Sequence, residues 1–66
     1  MSKIANLVLE EVDNILIQSR GISSLETISK ALEGKLSLSN DKNGAMILEN
    51  LGYSVSEYAN SYYVRF

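Results

Sequence analysis

The feature that most constrains this chain is a change of period at Gly52. Before it, apolar residues recur at helical spacing; from Tyr53 to Phe66 they alternate. Pairing Tyr53 with Phe66, Val55 with Val64 and Glu57 with Tyr62 collects the apolar side chains on one face of a hairpin. The other face then holds Ser54 with Arg65, Ser56 with Tyr63 and Tyr58 with Ser61. Ala59 and Asn60 fall at the tip. They are not the favoured Asn-Gly pair, so a loop of about four residues in the same register competes with a tight turn.

Upstream, three helices are expected. Between Lys3 and Ser19, Ile4, Val8, Val12 and Ile15 form a stripe that Ala5, Leu9 and Leu16 widen, with Gly21 as the left-handed stop. Leu7 lies at the edge of that stripe and Ile17 projects from the polar side, as isolated exposed apolar residues do. Ile22 reads as a short extended residue. Ser23 and Glu26 match a capping box for a second helix running to about Glu33, with Leu25, Ile28 and Leu32 inward and Gly34 ending it. Lys35 to Leu38 is the connector, in which Leu36 and Leu38 can alternate inward like a small strand or an extended turn. Ser39 or Asn40 caps a third helix that turns Ile47, Leu48 and Leu51 inward beside Gly44 and Ala45, and Lys42, Asn43, Met46, Glu49 and Asn50 outward. The small size of Gly44 and Ala45 would let another helix approach closely, and the cost of Gly44, about 1 kcal/mol relative to alanine, points to a packing reason for it or a frayed first turn.

Composition narrows the chemistry. Without cysteine there is no disulfide or thiolate site, and without histidine the commonest metal ligand and neutral-pH base are missing. Glu10, Glu11 and Asp13 on the first helix show no ligand geometry and read as a solvated face. No phosphate loop, triad or cofactor fingerprint occurs, so the expectation is a non-enzyme with no cofactor and no catalytic or metal residues. A net charge of −2 gives no general affinity for phosphate or anionic membranes. No apolar run approaches the roughly 18 residues that span a bilayer. A cytoplasmic, single-domain chain over residues 1–66 is expected, its stability resting on apolar packing.

Three stretches carry a family resemblance. These are I-S-S-L-E-T-I-S-K-A-L as the first helix of a helix-turn-helix, A-M-I-L-E-N-L-G-Y as its second, and S-V-S-E-Y-A-N-S-Y-Y-V-R-F as a wing. Together they make the chain resemble a small α+β winged helix-turn-helix: three helices followed by a C-terminal β-hairpin. Such modules occur in regulators and replication proteins of phages and other mobile elements. The connector between the second and third helices is longer than the three or four residues usual in that family.

Two functions follow as expectations. The resemblance implies a DNA-binding regulator acting as a homodimer, with Lys42, Asn43 and Asn50 in the major groove and Arg65 on phosphate. Charge opposes it, because the wing tip S-E-Y-A-N-S carries a glutamate where such wings place lysine or arginine. The preferred expectation is a binding module that docks on a protein partner of a nucleic-acid-handling machine, as an inhibitor or adaptor. Its contact residues are Met46, Tyr58 and Tyr63, because exposed tyrosine and methionine among few charges suit protein interfaces.

Overall fold

The computed structural model of the protein describes residues 3–35 and 37–66, with side chains from Asn6 onward. The period change is realised as strands β2 (Ser54–Tyr58) and β3 (Ser61–Arg65), in the expected register from Ser54 opposite Arg65 to Tyr58 opposite Ser61. The tip is a tight two-residue turn. Ala59 and Asn60 both take left-handed backbone, at φ 51° and 65°, as the type I′ turn requires so that its twist matches the strands.

Alanine is poorly suited to that conformation. Rebuilding the turn as Asn-Gly (Ala59→Asn with Asn60→Gly) is expected to stabilise the protein by about 1 kcal/mol. Thermal unfolding should then rise by about 5 °C; an unchanged or lower midpoint would count against the turn geometry.

A third strand, β1 (Ile22–Ser24), joins the sheet. It pairs antiparallel with β3, placing Ile22 opposite Arg65 and Ser23 opposite Val64, so the strand order is β1-β3-β2. Helices α1 (Lys3–Gln18), α2 (Leu25–Leu32) and α3 (Lys42–Asn50) complete an α+β fold of three helices and one antiparallel sheet. The core gathers Val8, Val12 and Leu16 of α1, the Leu25, Ile28 and Leu32 stripe of α2, Ala45 and Leu48 of α3, and Tyr53 and Val64. Each fully enclosed aliphatic side chain here stabilises the fold by roughly 1.5–3 kcal/mol relative to exposure. Ile4, Ala5 and Leu36, which the sequence pattern also turns inward, lie outside the described side chains.

Several local expectations shift by a residue or more. The N-cap of α2 is Ser24, whose hydroxyl accepts from the Thr27 N–H at 3.2 Å. Ser23, one residue earlier in the same strand, is buried, and its hydroxyl donates to the Ser24 carbonyl at 3.4 Å. Asp41 caps α3 instead of Ser39 or Asn40, accepting from the N–H groups of Asn43 (2.9 Å) and Gly44 (3.3 Å). A carboxylate there also suits the positive end of the helix. At the end of α1 the Gly21 N–H reaches the Leu16 carbonyl at 2.6 Å and the Arg20 N–H the Ile17 carbonyl at 3.4 Å. That makes Arg20, at φ 63°, the first left-handed residue of the stop, with Gly21 following at φ 95°.

Two apolar residues expected inside lie largely outside. Ile47 is 45% exposed, because α3 buries only the narrow face of Gly44, Ala45 and Leu48. Phe66 is 58% exposed, leaning on the Tyr53 ring at 6.4 Å between centroids. Gly44 has the packing reason its position called for. What comes closest is the Ser39 backbone carbonyl, in the chain before α3, and not another helix.

Candidate interaction surface

Tyr53 fixes the hairpin to the helices. Its N–H donates to the Leu48 carbonyl at 3.1 Å, the bond that closes α3, with Gly52 left-handed at φ 105° just before it. Its hydroxyl donates to Asp13 Oδ1 at 2.6 Å and lies 3.2 Å from the Leu9 carbonyl oxygen, both on α1. Burial raises the Tyr53 phenol well above its usual value, and the hydrogen bond to Asp13 and the charge of that carboxylate push it the same way. The phenol therefore stays protonated and keeps donating.

With the hairpin held there, α3 packs on β2. Between them runs a cleft of about 260 Å³. Ala45, Met46 and Val55 give it apolar wall, Tyr62 contributes a half-buried ring, and Lys42, Glu49 and Glu57 supply its charges. Two carboxylates thus face one ammonium. Three cations of the described residues are engaged or placed elsewhere. Lys35 pairs with Glu11 at 2.8 Å and Lys30 with Glu26 at 3.3 Å. Alternation along β3 puts Arg65 on the sheet face opposite Val64 and Tyr62.

The expected partner-binding residues divide between two faces. Met46, 49% exposed, lines the cleft. Tyr58 (74% exposed) and the half-buried Tyr63 belong to the other sheet face, beside Ile22, Arg65 and the serines of β2. Of the residues named for DNA, Lys42, Asn43 and Asn50 are exposed on α3, while Arg65 points away from them across the sheet. Pattern reasoning missed the convergence of Glu49, Glu57 and Lys42 in one cleft. The alternation showed that Val55, Glu57 and Tyr62 share a face, but no sequence signal showed that α3 would lie over it.

Of the acidic residues on α1 expected on a solvated face, Glu10 is exposed, whereas Glu11 and Asp13 are half-buried and hold Lys35 and Tyr53. Among the described residues no group of carboxylates could hold a metal ion, and no helix is long and apolar enough to cross a membrane. Comparison with protein-family models finds no match, and comparisons with curated proteins and solved structures find no significant one.

Proposed function

We propose that this chain is a winged helix-turn-helix module that works without catalysis, by docking on a protein. The order α1-β1-α2-α3-β2-β3 and the sheet order β1-β3-β2 support the winged-helix reading, with β2 and β3 as the wing. The observation that carries the choice of partner is the cleft between α3 and the wing. A nucleic-acid backbone seated there would meet Glu49 and Glu57 with Lys42 as its one counter-charge among the lining residues. Desolvating a phosphate against carboxylates is unfavourable, and phosphate neutralisation is the main source of non-specific affinity. The same lining suits a protein surface: flexible Met46, an aliphatic floor and a tyrosine ring. The target class that fits is a cytoplasmic nucleic-acid-handling protein whose DNA site such a domain would block.

The second reading, a dimeric DNA-binding regulator, draws on the exposure of Lys42, Asn43 and Asn50 along α3. Fluorescence anisotropy with a labelled DNA duplex at low and moderate salt separates the two. No saturable binding is expected at either salt. Binding that falls steeply with salt and disappears in Lys42→Glu would establish the DNA reading instead.

A further inference from the structure

One of the two edges of the sheet lies directly beside the cleft. In the order β1-β3-β2, strand β2 is an edge, and among the described residues no other strand pairs with it. Tyr58 and Ser61 flank a two-residue turn, so they form a hydrogen-bonded pair, and the alternation of an antiparallel ladder gives Ser56–Tyr63 and Ser54–Arg65 the same character. Val55 and Glu57 fall between, at non-hydrogen-bonded positions. Their N–H and C=O groups therefore point out of the sheet, away from β3. Their side chains are the two that β2 contributes to the cleft.

These two facts combine. Any strand laid against β2 would bond to the backbone of Val55 and Glu57, and residues opposite a hydrogen-bonded pair share its face. Its alternate side chains would thus enter the cleft beneath α3. The edge carries few of the devices that block such pairing: no proline, no lysine and no bulge across five consecutive pairs. Glu57 is its single charge, and a cation placed opposite converts that charge from a deterrent into a contact.

We propose that β2 is a docking edge for an extended segment of a partner protein, with an arginine or lysine opposite Glu57 and an aliphatic residue opposite Val55. The main chain of the segment extends the sheet. Its cation lies between Glu57 and Glu49, and its aliphatic side chain rests on Met46 and Val55. Backbone pairing supplies affinity that is indifferent to sequence, and the cleft supplies the selection. This inference rests on the protein-docking reading and specifies how that docking is done.

The test uses a short capped peptide alternating threonine with arginine and leucine, and a counterpart with glutamate replacing arginine, followed by amide NMR of the whole chain. The amides of Val55 and Glu57 are expected to shift most and to gain protection from exchange. The arginine peptide should bind about fivefold more tightly than its counterpart, and Glu57→Lys combined with Glu49→Lys should reverse that order. Equal affinity for the two peptides, or no shift with either, overturns the proposal. So does a dimer in sedimentation whose Val55 and Glu57 amides are already protected, since a second copy then occupies the edge. Shifts confined to Ile22, Tyr58 and Tyr63 overturn it as well, while leaving the protein-docking reading intact; duplex binding in the anisotropy experiment removes that reading itself.

Discussion

Replacing Gly44 with alanine is expected to lower the unfolding free energy by about 3 kcal/mol. Helix propensity alone gives the opposite sign, a gain of about 1 kcal/mol. The structure decides between them. A methyl group on Gly44 would overlap the Ser39 carbonyl oxygen and lie 2.9 Å from the carbonyl carbon. Both atoms are backbone, so no side-chain rotation relieves the overlap. Either the first turn of α3 or the chain between Leu38 and Asp41 must move. Leu38 is buried and Asp41 caps the helix, so that movement loosens the core and breaks the cap together. A chain of this size has roughly 3–5 kcal/mol to lose, so Gly44→Ala keeps about 0–2 kcal/mol and should be partly unfolded at 37 °C. Urea denaturation of the variant measures this directly, and an increase in midpoint would refute the close approach.

Tyr53→Phe should cost about 2 kcal/mol near neutral pH. The ring remains to fill the core, so the loss isolates the hydroxyl, whose bond to Asp13 ties the hairpin to α1. The pH dependence gives an independent check. Because folding raises the Tyr53 phenol above its unfolded value, the unfolded chain releases this proton first as the solution becomes alkaline. Its contribution is therefore fully present below pH about 10, where free tyrosine titrates, and is lost progressively above that. The wild type should lose stability faster than Tyr53→Phe above this point, and the two curves should converge. Parallel curves across the alkaline range would mean that the hydroxyl is not held as described. The predicted loss has a functional consequence too. Without the tie to α1, the position of β2 against α3 is less fixed, and the cleft between them is the candidate site.

Much of the scaffold was legible because it depends on period. Val8, Val12 and Leu16, then Leu25, Ile28 and Leu32, recur at helical spacing and are buried; the alternation after Gly52 specified the hairpin register pair by pair. A one-residue slip would turn Val64 to the outside, so burial selects that register strongly. Caps were less legible. Ser23 and Ser24, or Ser39, Asn40 and Asp41, are chemically adequate alternatives, and the choice fell to the burial of Ser23 in one case and to the approach of Ser39 to Gly44 in the other. The contact residues divided for a related reason. Met46, Tyr58 and Tyr63 are all exposed or half-exposed, as their positions imply, yet period within an element says nothing about which side of a sheet a helix covers.

The amino-acid order alone determined the three helices, the buried stripes of α1 and α2, the hairpin pairing and the shortage of positive charge, because each follows from contacts a few residues apart or from counting. Only the tertiary structure decided that Gly44 must be glycine, that Tyr53 clamps α1 through Asp13, and that Glu49 and Glu57 meet across one cleft beside an unpaired edge. Those outcomes depend on how α1 and α3 lie against the sheet. That arrangement is set by the shapes of side chains brought together from opposite ends of the chain, and no local spacing encodes it.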